Sequence, residues 1–281
     1  QHAMRMQYIS DLGDILITGK PPFRMATFDK DRVIGLLIRL YGHFQEDAVL
    51  DVIKFVGLDP RRKTFLDIGA NIGTHGIYAL GQGFDKAICI EPDPGNFMLL
   101  KINQILNGLD GRCTNINAAV SSGATELQFE LSETNFGDHR IRLDAGSDNT
   151  QYAEQNRKVI SVKAQTLDAI MASHSIDASQ IGLAWIDTQG HEGHVFSGAS
   201  KLIAANVPIV MEFWPYGLNR SGGYPMLREY LSRQTRIYDI RKPLEGQPSL
   251  SIAEIDAMFE SWIKRETGTN AEHTDFLVMP N

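Results

Sequence analysis

The sequence predicts an α/β fold built on a doubly wound, mostly parallel sheet. Three observations predict it. Short apolar runs alternate with helical patterns along the chain, a Gly-rich turn at 69–73 joins the first buried run to a helix, and buried runs end near the acids Asp67, Glu91, Asp187 and Glu212. Helices between strands indicate parallel βαβ units, and ligands of such sheets bind outside the carboxyl ends of the strands.

Composition limits the classes of partner. The 281-residue chain is 43% hydrophobic and 22% charged, as in ordinary globular proteins. Its formal net charge of -7 argues against a nucleic-acid-binding protein, because such proteins neutralise phosphates with Lys and Arg. Cys89 and Cys113 are too few for a disulfide framework, which fits a reducing compartment. No run has the length of a membrane span and no signal-peptide core is visible, so we expect a cytoplasmic protein.

The N-terminal part precedes the first strand of the sheet. Short apolar islands broken by Gly and Pro predict an irregular lead-in over residues 5–28. Apolar residues at helical spacing then predict one helix within 29–42, capped by Asp29 or Asp31, and a second within 45–57. We expect these helices to form an added packing layer, and a lid over a ligand is the alternative.

The core elements follow from apolar patterns and their stop signals. Asp93-Pro94 and Asn107-Gly108 begin and end one helix, and alternating apolar residues after Ser121 predict a hairpin-like insertion whose loop, 133–156, lies on the surface. The predicted strands are 64–68, 86–91, 113–120, 182–187, 208–213, 236–240 and 276–279. The predicted helices after the second strand are 94–107, 166–173, 195–203, 226–233 and 252–265.

The Gly-rich turn and the acids near it indicate which class of ligand binds at this end of the sheet. A dinucleotide site needs G-x-G-x-x-G, whereas this turn is Gly69-Ala-Asn-Ile-Gly73. Asp67, two residues before it, would repel a pyrophosphate but suits the cationic amino group of a methionine-like moiety. Glu91 stands where an acid takes the ribose hydroxyls of an adenosine. The two acids together favour S-adenosylmethionine over a dinucleotide.

A set of motifs between about residues 60 and 215 resembles the FkbM family of S-adenosylmethionine-dependent methyltransferases. The motifs are Phe65–Gly73, Glu91–Pro94 followed by Asn103 and Asn107, Asn117–Ala119, Thr166–Asp168 and Ile186–Glu192. The resemblance implies a Rossmann-like class I methyltransferase with a seven-stranded sheet and a β-hairpin insertion. We expect an N-terminal lead-in with packing helices over 1–60 and the S-adenosylmethionine-binding methyltransferase domain over 61–281.

The resemblance also implies the cofactor contacts. They are predicted at Asp67, Gly69, Asn71, Gly73, Glu91, Pro92 and Asp187, with the adenine near Asn117 and Ala118. Relatives typically read Lys-Ile-Asp-Val-Glu-Gly where this chain has Trp185-Ile-Asp-Thr-Gln-Gly190. Replacing that Lys and Glu leaves fewer charges at the mouth of the site.

The predicted catalytic residues are Asp187, His191 and Glu192. A hydroxyl nucleophile needs a base at or before methyl transfer, and either Asp187 or His191 is expected to be that base. His191 and Glu192 open a helix whose dipole should keep the imidazole neutral, and His75 is a weaker candidate. Histidines and acids could also hold a divalent cation, but no spacing is diagnostic and no metal site is predicted.

The predicted function is O-methylation of a sugar, a glycan or a polyketide-like small molecule. The loop 133–156 and the turn 214–223 are expected to read the acceptor, because Trp214 and Tyr216 beside polar groups suit a sugar. Two alternatives stay open from the residues alone. One is a nicotinamide-dependent oxidoreductase, which the missing G-x-G-x-x-G disfavours, and the other is a non-catalytic binding module that retains the fold.

Overall fold

The structure is a computed structural model that describes residues 11–142, 151–267 and 271–281. Its strands in chain order are β1 Ile15–Thr18, β2 Met25–Phe28, β3 Thr64–Ile68, β4 Lys86–Ile90, β5 Cys113–Ile116, β6 Ala119–Val120, β7 Thr125–Leu131, β8 Arg140–Ile141, β9 Lys158–Gln165, β10 Ile181–Ile186, β11 Ile209–Phe213, β12 Ile237–Asp239 and β13 Thr274–Val278. Its α-helices are α1 Ile34–Tyr41, α2 Glu46–Val56, α3 Thr74–Gly81, α4 Pro94–Leu106, α5 Leu167–Ser173, α6 Glu192–Ser197, α7 Ser200–Ala204, α8 Pro215–Ser221, α9 Tyr224–Leu231 and α10 Ile252–Arg265.

The central sheet has seven strands in the order β12-β13-β11-β10-β3-β4-β5. The neighbouring strands from β11 to β5 run parallel, and β13 is antiparallel to both of its neighbours. The strand order reverses between β3 and β10, which is the topological switch point where open α/β sheets bind ligands. The predicted doubly wound fold is confirmed.

Both faces of this sheet are covered. Every residue of β3 and of β11 is buried, as expected of parallel strands between two helical layers. Successive side chains face opposite sides, so Phe65 and Trp185 belong to one core cluster while Leu66 and Ile186 belong to the other. The sheet therefore gives the rigid edge from which the site residues project.

The N-terminal segment packs on the face that contains Phe65. The predicted irregular lead-in is wrong for β1 and β2, which pair as an antiparallel hairpin, because their pairing is not encoded by alternation in either short strand. The predicted helices are present as α1 and α2. The predicted cap at Asp29 or Asp31 is wrong, because Val33 is the N-cap residue of α1, although Asp31 Oδ2 accepts a 2.8 Å hydrogen bond from the Gly35 N–H. Residues 1–10 lie outside the described part, and the division at residue 60 stays a prediction.

The insertion forms a separate sheet in the order β6-β9-β7-β8. The predicted hairpin is confirmed, since β7 and β9 pair antiparallel. The single predicted strand 113–120 is wrong, because the chain leaves the central sheet after β5 and β6 pairs with β9 instead. The structure describes the loop 133–156 except for residues 143–150. The prediction that this loop lies on the surface is wrong for Phe136, Arg140 and Glu154, which are buried.

The C-terminal half contains two helices more than predicted. The single predicted helix 195–203 is wrong, because the chain forms α6 and α7 with a break at Gly198 and Ala199. Residues 214–223, expected as a turn, include α8, because Pro215 occupies its first turn and Gly222 caps its C-terminus in the left-handed region at φ 64°. The helix α9 begins at Tyr224 rather than at 226. The helix α10 has its predicted bounds and begins with a capping box between Ser251 and Glu254.

Candidate cofactor and acceptor site

Two adjoining clefts open at the carboxyl ends of the strands. The first encloses about 770 Å³ when the space that is open to solvent at its mouth is included. It is lined by the turn 69–71, by Glu91 and Pro92, by 118–120 and by 187–189. The second is wider and encloses about 1,520 Å³ on the same measure. The residues that line both clefts are Ile34, Phe44, Gln45, Gly137, Asp187 and Gln189.

The Gly-rich turn owes its shape to left-handed backbone. Gly69 has φ 82°, and a Cβ there would lie 1.7 Å from the Asp187 carbonyl oxygen, so only glycine lets the turn pack on the end of β10. Asn71 and Gly73 also have positive φ, at 50° and 89°. Residues 69–71 line the first cleft, whereas Gly73, which was also predicted to contact the cofactor, does not, and its contact stays a prediction.

Glu91 lies on the wall of the first cleft. Its Oε2 accepts the Asn71 N–H over 2.9 Å and its Oε1 accepts the Asp93 N–H over 2.8 Å. Burial, together with the nearby Asp93 charge, raises the pKa of Glu91 to about 8. Two backbone hydrogen bonds leave lone pairs on both oxygens, so the carboxyl group can still accept from ligand hydroxyls.

Asn117 and Ala118 have different positions relative to the cleft. The Asn117 side chain donates hydrogen bonds to the carbonyl oxygens of Glu91 and Pro92, over 2.8 and 3.0 Å. Asn117 therefore holds the end of β4 and is not among the residues that line the cleft, whereas Ala118 and Pro92 are. The predicted adenine contact at Asn117 stays a prediction.

Asp67 is fully buried, and neither of its carboxylate oxygens has a hydrogen-bond partner within the described residues. It lies behind the cleft wall, with Oδ1 3.8 Å from Nδ1 of His75, which does line the first cleft. A buried carboxylate without donors is costly, so it favours a cationic group nearby. Asp67 itself does not line the first cleft, so its predicted contact with the amino group of S-adenosylmethionine stays a prediction, whereas Glu91 and the Gly turn do line it.

His75 lies between this acid and Gln45, a residue that lines both clefts. Its Nε2 lies 2.8 Å from Gln45 Oε1, and its ring packs on Trp185 with centroids 4.5 Å apart. Burial opposes the charged imidazole, but the carboxylates of Asp67 and Asp187 outweigh it and raise the pKa of His75. His75 thus packs on Trp185, the residue that stands where relatives typically have a lysine.

Asp187 lies half-buried where the two clefts meet. Its Oδ1 accepts a 2.7 Å hydrogen bond from Gln189 Nε2, which also donates to Glu212 Oε1 over 3.0 Å. Burial raises the pKa of Asp187, although the bond from Gln189 opposes the shift. Among the titratable residues that the structure describes, Asp187 alone lines both clefts.

The other two predicted catalytic residues lie deeper. Glu192 Oε1 accepts from the Thr188 N–H and hydroxyl, over 2.8 and 2.9 Å, and so closes the turn after β10. His191 is 5% exposed, its Nε2 lies 2.9 Å from Ser121 Oγ, and it lines the first cleft but not the second. Burial, with a contribution from His194, lowers the pKa of His191 to about 3, so the imidazole is neutral as predicted.

The second cleft is bounded by the insertion and by the end of β11. Its aromatic and charged wall includes Phe44, Tyr152, Trp214, Asp138 and Arg157. Tyr216, predicted to contact the acceptor, instead donates a 2.6 Å hydrogen bond to Glu154 and does not line this cleft. Gln45 and Asp275 were not predicted, because neither follows a strand in the expected way.

Buried Arg140 supports this wall. Its guanidinium lies 2.9 to 3.0 Å from carboxylate oxygens of Glu130, Asp138 and Glu154, and 4.8 Å from the Trp214 ring centroid. One cation therefore joins the insertion to the residue that follows β11.

The described part of the chain contains no helix with both the length and the hydropathy needed to cross a membrane.

Comparison with known proteins gives one family. Residues 67–238, more than half of the chain, match the family described as Methyltransferase FkbM domain. A search of curated proteins finds no match. Similar solved structures include geranyl diphosphate C-methyltransferase from Streptomyces coelicolor A3(2), at 9% identity, TM-score 0.45 and coverage of 98% of this chain and 90% of that one.

Two further solved structures are similar to this chain to different extents. A geranyl diphosphate methyltransferase in complex with SAM has 10% identity, TM-score 0.41 and 83% coverage of each chain. The tRNA m1G37 methyltransferase of M. jannaschii has 21% identity, TM-score 0.28, and coverage of 37% of this chain and 28% of that one. These similarities are too low to transfer an activity to this chain.

Proposed function

Because the chain belongs to the FkbM family of S-adenosylmethionine-dependent methyltransferases, we propose that it methylates a hydroxyl group of a sugar, a glycan or a polyketide-like small molecule. The first cleft binds the cofactor and the second binds the acceptor. The observation that carries the proposal is the position of Asp187, which lines both clefts. A base for this reaction must reach the acceptor hydroxyl beside the methyl group, and the position of Asp187 where the two clefts meet supports that role.

When bound, the cofactor supplies a methyl group on a cationic sulfonium. The residues of the first cleft hold it: backbone at 69–71 and the Glu91 carboxyl group line the cavity, and buried Asp67 provides negative charge behind it. Positioning two reactants in line supplies a large part of the rate enhancement in such transfers. The turn held by Gly69 on β10 fixes this cofactor loop relative to Asp187.

Asp187 accepts the proton of the acceptor hydroxyl in this proposal. Its pKa is raised by burial, which makes it a better base near neutral pH than an ordinary aspartate. His191, with a pKa of about 3 and its Nε2 beside Ser121, is the weaker base and lies away from the second cleft. We assign His191 and Glu192 to shaping the turn after β10.

The acceptor class follows from the wall of the second cleft. Phe44, Tyr152 and Trp214 offer aromatic surface beside the polar groups of Asn135 and Asp138. Rings of this kind stack on the apolar face of a sugar, while the polar groups bond to its hydroxyls. Polyketide-like compounds share this mixture of apolar surface and hydroxyl groups.

The proposal is tested by methyl transfer from S-adenosylmethionine labelled in its methyl group to a panel of sugars and hydroxylated polyketides. We expect label in a methyl ether, identified by mass spectrometry and NMR. Label on nitrogen or carbon would contradict O-methylation. Cofactor binding with no transfer across the panel would support the non-catalytic module.

A further inference from the structure

Three carboxylates converge where the cofactor and acceptor clefts meet. Asp187 follows β10, Glu192 begins α6 and Glu212 lies in β11. One oxygen from each lies within 4.8 Å of the others. Their positions in the sequence have no metal-site spacing, and only the parallel pairing of β10 with β11 brings them together.

Two of these three acids are buried and, within the described residues, have a carboxylate oxygen without a partner. Glu192 and Glu212 are 0% and 6% exposed, and Oε2 of each has no hydrogen-bond partner in the described residues. Across the same described ranges, no Lys or Arg forms an ion pair with any of the three acids. Buried carboxylate oxygens that accept no hydrogen bond are stabilised by protons or by a cation.

We propose that Asp187, Glu192 and Glu212 bind one divalent cation of the oxygen-preferring class, Mg²⁺, Mn²⁺ or Ca²⁺. Carboxylate oxygens are the donors that these hard cations select. Because the three oxygens lie within 4.8 Å of one another, an ion placed between them is at most about 2.8 Å from each, so a small contraction reaches the 2.3–2.6 Å of Ca²⁺ coordination. Asp187 and Glu212 also line the second cleft, which gives an ion and its waters access.

Ion binding by these carboxylates does not require the hydrogen bonds of Gln189 to break. Its amide nitrogen bonds to Asp187 Oδ1 and Glu212 Oε1, so each of these carboxylates has its other oxygen for the ion. A cation here faces the acceptor cleft, where it lowers the pKa of a hydroxyl bound to it. The inference deepens the proposed O-methylation, but ion binding is measured without cofactor or acceptor, so the two can fail separately.

The test is calorimetric titration of the full chain with Mn²⁺ at pH 8. We expect one site per chain with a Kd on the order of 10⁻⁴ M or tighter, and competition by Mg²⁺ and Ca²⁺. Glu212→Gln and Asp187→Asn should each weaken binding at least tenfold. Asp256→Asn, which alters a surface carboxylate paired with Arg228, should bind Mn²⁺ as the wild type does.

A second measurement distinguishes the loss of the ion site from the misfolding of a variant. An ion that binds the folded state raises the melting temperature, so millimolar Mn²⁺ should raise that of the wild type and less so that of Asp187→Asn. Circular dichroism establishes that each variant is folded. Absence of both heat and thermal shift in the folded wild type would overturn the proposal, as would binding that neither variant weakens.

Discussion

Gln189 Nε2 lies 2.7 Å from Asp187 Oδ1 and 3.0 Å from Glu212 Oε1, so one amide joins the ends of β10 and β11. Relatives typically carry glutamate at this position. In this chain the amide donates to two acids that a glutamate would repel. The substitution thus reduces the charge of the cluster without removing a side chain from it.

Gln189→Glu should therefore tighten Mn²⁺ binding roughly tenfold, because metal affinity rises with the number of charged oxygen ligands. The measurement is the same calorimetric titration, with Gln189→Met as the matched control that adds no charge. Equal affinities in the glutamate variant and the wild type would argue that the ion does not bind beside residue 189.

Arg140→Met should destabilise the protein by about 3 kcal/mol, the lower end of the range for a broken buried pair. The buried acids Glu130, Asp138 and Glu154 lose their shared cation but keep ion pairs with Arg142, Arg157 and Arg220. Urea denaturation measures the change. The control is Arg228→Met, which breaks a partly exposed pair with Asp256 and should cost less than about 1 kcal/mol. Similar losses in both variants would contradict the importance assigned to this network.

Glu91→Gln should alter the pH dependence of stability. The pKa of Glu91 is raised from 4.5 in the unfolded chain to about 8, so its protonated form favours folding and this contribution is lost as pH rises from about 4.5 through 8. Glutamine cannot ionise. Melting temperatures between pH 5 and 9 should fall less steeply in the variant, and parallel curves would contradict the raised pKa.

Asp67→Asn should weaken S-adenosylmethionine binding about 10- to 100-fold, the loss expected for a buried charge-assisted partner. Calorimetry measures the Kd. The control is Asp85→Asn, which changes an exposed carboxylate near Lys63 and should leave the Kd unchanged. If Asp67→Asn also binds normally, the acid serves His75 rather than the cofactor.

The sequence was sufficient for the parts of the site that are local. The strand before the Gly-rich turn, Glu91 after β4 and Asp187 after β10 all follow from apolar runs with their stop signals. Such signals depend only on residues that are close in the sequence, so they can be recognised without knowledge of tertiary contacts. The start of α10 is predictable for the same reason, because its capping box lies within the four residues from Ser251 to Glu254.

The remaining features depend on contacts between distant segments. Asp67 lies behind His75 because β10 places Trp185 beside it in register, which no local pattern reveals. The loop 133–156 looked solvent-exposed because it is charged, yet Arg140 is buried by its ion pairs. The acids 187, 192 and 212 meet only through strand pairing.

The central claim is that Asp187 is the base for transfer to a hydroxyl. Its most direct test is the single-turnover rate of methyl transfer to an acceptor from the panel, with S-adenosylmethionine saturating, in Asp187→Asn and His191→Gln. We predict a loss of about 10²- to 10⁴-fold for Asp187→Asn and less than tenfold for His191→Gln. An unchanged rate in Asp187→Asn, or the larger loss in His191→Gln, would contradict the assignment.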